Sequence, residues 1–210
     1  QCFAATSGAA PLIQGFTVRN SRASSVFKGY NSSYPLCVRD CIIKNCTSTA
    51  SIFNYVNVER SKIVGCASDR FIFDYGVAKS TIIGGCTATE AISKHTVKMT
   101  YFGCTVSGNL SPYAMTASLT AYNSILEGGT AQASQGACNL VWGLVDETGL
   151  PDNGFSKGDP MVIDPASGDA RLATPSAAIA LCDLPTGNGE LARAYTQYYS
   201  VDIAGNGYDL

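Results

Sequence analysis

The chain has 210 residues, of which 46% are hydrophobic and 14% are charged, so it is long enough to bury a core as a single domain. Its formal net charge is -2, and its lysines and arginines are scattered, which argues against nucleic acid or an anionic membrane as a partner. No apolar run approaches the roughly 20 residues of a membrane span, so we expect no membrane insertion.

The main feature of the sequence is a repeat that starts close to its N-terminus. Six copies align at successive offsets of 25, 20, 20, 23 and 20 residues, and each has a hydrophobic residue at one anchor position. The anchors are Val18, Ile43, Ile63, Ile83, Val106 and Leu126. Such a period is typical of a solenoid, in which each repeat buries its apolar face against its neighbours. Because the Leu and Asn columns of leucine-rich repeats are absent, the pattern predicts an all-β fold, a parallel β-helix of six coils within residues 1–143.

The first coil shows how the repeat begins and where it is interrupted. It starts near Pro11, which leaves little room for the cap that natural solenoids place over an open end, so we expect the chain to be part of a larger polypeptide. Residues 31–35 lengthen this coil, and extra residues between His95 and Ser107 lengthen a later one. Loops of this kind are where solenoids usually carry function.

Charged residues at equivalent positions of consecutive coils alternate in sign. The columns are Arg39, Glu59 and Lys79, then Asp40 and Arg60, then Arg70 and Glu90. Equivalent residues of adjacent coils lie about 4.8 Å apart, so we expect opposite charges to pair across coils. Exposed pairs of this kind contribute only about 0 to 1 kcal/mol each.

An aromatic column offers a candidate binding surface. Tyr30, Tyr55, Tyr75 and His95 fall at one position of the repeat. Tyrosines that face outward can stack on sugar rings, whereas tyrosines that face inward only fill the core, and the sequence leaves both orientations open. If they face outward, Tyr30, Tyr55, Tyr75 and the neighbouring Asn54 are the predicted binding residues.

The adjacent column is the best candidate for catalysis. Asn54, Asp74 and Lys94 occupy consecutive coils, with His95 next to Lys94. In a polysaccharide lyase, Lys94 would be the base and Asp74 would bind Ca²⁺ or orient the substrate. The alternative is a solvated corner in which Asp74 pairs with Lys94 and His95 extends the aromatic column. We adopt this alternative, which predicts no catalytic set, no metal site and no cofactor, and keep Lys94, Asp74, His95 and Ca²⁺ as the competing hypothesis.

Three of the nine cysteines share one column, Cys46, Cys66 and Cys86. We interpret this column as an inward ladder of free thiols, because a free cysteine packs like a small hydrophobic side chain. A disulfide between adjacent members is an alternative, since neighbouring coils bring their Cα atoms within bonding range. A zinc site is less favoured, because the chain has no Cys-x-x-Cys and a single histidine.

After Gly143 the repeat stops, and residues 144–210 become rich in Gly, Pro and Asp. We expect them to form an irregular C-terminal cap of the same domain. Their motifs are Asp159-Pro160-Met161-Val162-Ile163-Asp164-Pro165, Gly168-Asp169-Ala170-Arg171-Leu172 and Pro175-Ser176-Ala177-Ala178-Ile179. This segment resembles the C-terminal part of secreted bacterial right-handed parallel β-helix proteins of the pectate-lyase-like superfold. The opening run Ile13-Gln14-Gly15-Phe16-Thr17-Val18 is similar to a coil of the same group.

The resemblance implies a right-handed helix and an extracellular or cell-surface location in a bacterium. It identifies architecture and not activity, because the group includes lyases, hydrolases and adhesins. Our first hypothesis is a structural or adhesive domain that binds a glycan or a surface protein. The alternative is a polysaccharide lyase or glycoside hydrolase that acts on an acidic glycan. We favour the first, because no coil brings together an acid and a base and the net charge does not favour a polyanionic substrate.

Overall fold

The computed structural model describes residues 1–6, 8, 10–94, 99–111, 119–130, 133–137, 139–146, 154–173 and 176. Within these ranges the chain forms twenty-two β-strands and one 3-10 turn, with no α-helix. Nearly all strand pairs are parallel and join one coil to the next. The structure therefore confirms the predicted all-β parallel β-helix of about six coils.

One side of the solenoid is an eight-stranded parallel sheet, which we call the flank sheet. Its strands are β3 (Thr17–Arg19), β6 (Ile42–Lys44), β8 (Lys62–Val64), β11 (Ile82–Gly84), β15 (Thr105–Ser107), β17 (Ile125–Thr130), β19 (Asn139–Asp146) and β20 (Phe155–Lys157). The six anchors pair in one register from Val18 to Leu126, and Val141 continues the file. Every anchor is buried, as the repeat predicted.

The other sides of the coils form a twelve-stranded sheet. Its strands are β1 (Phe3–Ala4), β2 (Leu12–Gln14), β4 (Arg22–Lys28), β5 (Leu36–Arg39), β7 (Thr47–Glu59), β9 (Ala67–Ser68), β10 (Phe71–Lys79), β12 (Thr87–Ala88), β13 (Ala91–Ser93), β14 (Met99–Phe102), β16 (Leu119–Tyr122) and β18 (Ala133–Ala137). The long strands β7 and β10 bend through a corner that separates two faces of this sheet. This corner carries the candidate site described below.

Two columns of left-handed residues bound the short strands of the flank sheet. They are Gly15, Asp40, Arg60, Ser80, Gly103 and Asn123 on one side, and Asn20, Asn45, Gly65, Gly85, Gly108 and Gly143 on the other, all with φ between 45° and 75°. Glycine and asparagine reach this region at the lowest cost. A single left-handed residue bends the chain sharply, so each coil turns at the same two corners.

A ladder of stacked phenylalanines fills the interior beside the corner at which β7 and β10 bend. The ring centroids of Phe3, Phe27, Phe53 and Phe73 are 5.0, 5.2 and 4.7 Å apart in succession. A register shift between Ala23 and Ser25 places Phe27 opposite Phe53. An alignment of fixed period pairs Phe27 with Ile52 instead, because it cannot show the β-bulge of β7 at this point.

The ladder ends in the next coil, where Ser93 pairs with Phe73 in register. Tyr101 fills the vacated volume and its hydroxyl hydrogen-bonds the Ser93 hydroxyl. The residues that pair with Tyr101 on either side are Ala78 and Ala121, so the large side chain has room. Burial raises the pKa of the Tyr101 phenol above its ordinary value.

The cysteine column lies in the interior with free thiols. Cys46, Cys66 and Cys86 are all buried, and none forms a disulfide, which agrees with the predicted thiol ladder. A hydrogen bond with the Cys66 thiol and then burial raise the pKa of the Cys46 thiol. Burial likewise raises the pKa of Cys104 to about 12. The thiols of Cys46 and Cys104 are therefore protonated at neutral pH and act as packing groups.

The described part of the predicted C-terminal cap lies along the flank sheet. Strands β21 (Val162–Asp164) and β22 (Asp169–Leu172) pair antiparallel around a 3-10 turn, Pro165–Ser167. A Cβ at Gly84 would overlap the Pro165 carbonyl oxygen, and one at Gly108 would meet the Pro165 ring at 2.8 Å. The glycines therefore let the turn sit directly on the outer surface of β11 and β15.

The stack of coils extends at both ends beyond the limits that we inferred from the repeat. At the N-terminal end, β1 pairs in parallel with β4, ahead of the start predicted near Pro11. At the other end, β19 passes Gly143 and pairs in parallel with β20. The repeat alignment missed these strands because the spacing changes there, from 20 residues between anchors Val106 and Leu126 to 15 between Leu126 and Val141.

Candidate functional site

The predicted column Asn54, Asp74 and Lys94 is assembled at the corner of β7 and β10. Asn54 Nδ2 donates to Asp74 Oδ2 over 2.9 Å, and Lys94 Nζ lies 2.8 Å from Asp74 Oδ1. Both carboxylate oxygens are thus engaged by the neighbouring coils. The Asp74–Lys94 pair is the solvated corner that our preferred interpretation expected, with both side chains about a quarter exposed.

The polar column continues one coil further and contains an unsatisfied acceptor. Lys28 pairs with Asn54 in register. Asn54 Oδ1 is buried and accepts no hydrogen bond from the described residues. A buried acceptor without a partner costs about 1 to 3 kcal/mol. The corner therefore contains a buried amide oxygen whose hydrogen-bonding capacity the described residues leave unused.

Cations cover an aromatic ring beside this column. The guanidinium carbon of Arg70 lies 5.1 Å from the centroid of the Phe71 ring, and Lys94 Nζ lies 5.8 Å from it. Arg70 also forms the predicted pair with Glu90, at 2.6 Å. Arg70 and Lys94 are therefore each matched by a carboxylate, Glu90 and Asp74 respectively.

Two of the predicted binding tyrosines form a pair next to the polar column. The ring centroids of Tyr55 and Tyr75 are 5.3 Å apart with their planes inclined by 45°. Both side chains are half-buried, unlike the fully buried Phe53 and Phe73. The pair therefore presents part of its ring surface to solvent, which the sequence had left open.

The backbone at the tyrosine pair is strained. Tyr55 has φ of +54°, a region that non-glycine residues rarely adopt and that is costly for a bulky one. Strain of this kind, of order 1 to 3 kcal/mol, persists where the surrounding structure enforces it and is common at binding sites. Here the next coil approaches closely, because a Cβ at Gly76 would overlap the Val56 carbonyl oxygen.

Tyr30 does not belong to the tyrosine file, and its predicted place in the column was wrong. Because β4 has one residue fewer than β7 between Ala23 and Ser25, Lys28 lies opposite Asn54, and Gly29 packs against the carbonyl oxygen of Tyr55. Tyr30 is therefore pushed into the inserted loop, where it is 51% exposed. There its ring lies 6.4 Å from Tyr34, at 59°.

The fourth residue of the predicted column, His95, lies outside the described residues. A separate groove of about 350 Å³ runs over a face of the twelve-stranded sheet. It is lined mainly by hydroxyl side chains, Thr47, Thr49, Thr87 and Thr89, and no aromatic side chain contributes to it. It therefore lacks the ring surface that distinguishes the tyrosine corner.

The predicted charge columns form a network at another corner. Arg39 Nε lies 2.9 Å from Glu59 Oε2, Arg60 Nε lies 2.8 Å from Asp40 Oδ1, and Arg60 Nη1 lies 2.9 Å from Glu59 Oε1. Gln14 adds a hydrogen bond of 2.8 Å to Asp40. The pairing of opposite charges across coils is confirmed. The hydrogen bond from Arg60 holds the pKa of Asp40 below its ordinary value.

We predict that Arg60→Gln lowers stability in a way that depends on pH. A depressed carboxyl pKa stabilises the fold above the ordinary value of 3.8, and this contribution is lost as the pH falls through the folded-state value. At pH 7 the loss should be at most about 1 kcal/mol, because the pair is partly exposed. The difference in urea midpoint between wild type and variant should narrow below pH 4. Arg22→Gln is the control, and a difference that stays constant down to pH 2 would contradict the assignment.

The chemistry available at the tyrosine corner is recognition by stacking and hydrogen bonding. Lys94 is held in an ion pair and Asp74 accepts from two neighbours. Among the described residues no three metal-ligating side chains cluster. The same part of the chain has no helix long and apolar enough to cross a membrane. Comparison with protein-family models, with curated proteins and with solved structures found no match.

Proposed function

We propose that this chain is an extracellular or cell-surface β-helix domain with a structural and adhesive role. Its corner of Tyr55, Tyr75, Asn54, Asp74 and Lys94 binds a glycan without chemical turnover. The observation that carries this proposal is the partly exposed tyrosine pair beside the Asp74–Lys94 ion pair. Tyrosine offers a large ring at a low cost in conformational entropy, which suits stacking on a sugar.

The state of the polar groups favours binding over catalysis. A general base must be free to take a proton from the substrate, whereas Lys94 is paired with Asp74 and lies over the Phe71 ring. Removing a lysine from such a pair leaves Asp74 without its partner. The same groups suit recognition, because the amide and carboxylate of Asn54 and Asp74 match the hydroxyls of a sugar.

The proposed location rests on the resemblance to secreted bacterial β-helix proteins. In that setting a rigid solenoid serves as a spacer that presents one corner to a glycan or a surface protein, as part of a larger polypeptide or assembly. Fractionation of the native organism with an antibody against residues 11–143 tests this. A free-standing gene product confined to the cytosol would contradict it.

We predict that Tyr55→Ala and Tyr75→Ala each weaken glycan binding about tenfold, or about 1.4 kcal/mol. Each substitution removes one face of the aromatic pair. Binding is measured by calorimetry against a panel of neutral and uronate oligosaccharides. Tyr30→Ala is the matched control, because it removes an exposed tyrosine outside the pair and should leave affinity within twofold.

A parallel assay addresses catalysis. The same panel is incubated with the protein while the absorbance of unsaturated uronate products is followed, and we expect no increase. Turnover that disappears in Lys94→Ala would replace the binding proposal with a polysaccharide lyase. Equal losses in the Tyr30 and Tyr55 variants would remove the tyrosine pair from the proposal.

A further inference from the structure

The charges of the chain are segregated along the sequence. Residues 1–143 contain eleven lysines and arginines against six aspartates and glutamates, whereas residues 144–210 contain three against ten. The small overall charge of -2 thus conceals a basic solenoid followed by an acidic segment. Opposite charges of this size attract at low ionic strength.

The described part of the acidic segment lies on the flank sheet. Its 3-10 turn packs on Gly84 and Gly108, and the following strand runs past Lys62. The nearby ammonium of Lys62 helps to lower the pKa of Asp169, although the hydrogen bond from Arg171 is the main cause. A cleft of about 510 Å³ separates Lys62 and Ile82 from residues 167–171.

The flank sheet continues past this segment as a basic surface that, beyond Lys62, no other described segment covers. Arg19 and Lys44 pair in register on β3 and β6, and Lys62 pairs with Ile42. All three cations are exposed, and Ile42 between them is 44% exposed. None of the three side chains hydrogen-bonds or forms an ion pair with another residue in the ranges that the structure describes. We call Arg19, Ile42, Lys44 and Lys62 the basic flank.

We propose that the basic flank binds an acidic peptide segment of another protein. The peptide class follows from what already occupies the neighbouring coils of the same sheet. There the chain's own segment, which contains Asp164-Pro165 and Gly168-Asp169, lies on the sheet with Asp169 close to Lys62. An acidic peptide that continues along the same columns would bring carboxylates to Lys44 and Arg19 and cover Ile42. This binding surface is distinct from the tyrosine corner and does not depend on it.

The test uses the full chain and a fluorescein-labelled peptide of ten glutamates, with binding followed by fluorescence anisotropy at low salt. We expect saturable binding that weakens at least tenfold in the double variant Arg19→Glu, Lys44→Glu, and that weakens as salt rises. Arg22→Glu, Arg70→Glu is the control, since it changes the net charge equally at cations outside the flank. The control should stay within threefold of wild type. Circular dichroism establishes that both variants are folded.

Three outcomes would overturn the proposal. Equal weakening in both double variants would mean that only net charge matters. Undiminished binding in the flank variant would place the peptide elsewhere. Tighter binding of a sulfated polysaccharide or of oligothymidylate than of the peptide, lost in the same flank variant, would assign the surface to a different class of polyanion.

Discussion

Replacing Ile63 with aspartate should unfold the solenoid. Ile63 is 0% exposed and lies between Ile43 and Ile83 in the anchor file. The carboxylate would have no partner in a close-packed apolar stack, a cost of several kcal/mol that is comparable to the whole stability of a domain. We expect loss of the β-sheet signal in circular dichroism and recovery of the variant mainly as aggregate.

Ile42→Asp is the matched control, because it makes the same change in the preceding coil, one residue before the anchor Ile43, on an exposed surface. It should remain folded, with a urea midpoint close to that of wild type. A soluble, cooperatively folding Ile63→Asp would mean that the anchor file is not the core of the molecule. Equal damage from both substitutions would mean that burial does not distinguish the two faces of β6 and β8.

The second large effect is expected at Gly84. Gly84→Val would drive its side chain into the Pro165 carbonyl oxygen, and the C-terminal segment must then leave the flank sheet. Overpacking of this kind typically costs about 1 to 3 kcal/mol. We expect the coils to remain folded while trypsin cleaves after Arg171 at least tenfold faster, with the released fragment identified by mass spectrometry.

Lys44→Val is the control for this prediction. Lys44, Val64 and Gly84 share a column of the flank sheet, and Lys44 lies beyond the covered coils. The same valine should therefore leave cleavage after Arg171 unchanged there. An unchanged cleavage rate in Gly84→Val would show that the turn at Pro165 tolerates the added volume.

The anchor file and the charge pairs could be predicted from sequence because both repeat with the coil. A buried column must be apolar in every coil, so Ile43, Ile63 and Ile83 stand out without any structure. Opposite charges such as Arg39 and Glu59 were visible for the same reason. The Asp74–Lys94 pair followed from the same column rule. In each case the position of a residue in one coil predicts the position of its partner in the next coil.

The features that the sequence did not reveal are those that break the repeat. Between Ala23 and Ser25, β4 has one residue fewer than β7, which moves Phe27 into the Phe53 column and displaces Tyr30 into a loop. The contact of Pro165 with Gly84 joins segments about eighty residues apart. One signal was available in the sequence, since Gly84 stands in the column of the larger Lys44 and Val64. A glycine on an outer strand surface marks the close approach of another backbone.

The left-handed columns at two corners of each coil have an evolutionary consequence. They fix the chain path at those two corners. Additional residues therefore accumulate at the third corner of each coil, where β7 and β10 bend. Two residues separate Phe73 from Gly76, whereas five separate the equivalent Ser93 and Met99, and eight separate Phe27 from Leu36. This variable corner is also the one that carries Tyr55, Tyr75 and Asp74. The loops that border the tyrosine pair can therefore change in length and sequence while the stacked interior stays the same, as the hypervariable loops of an antibody do on a constant framework.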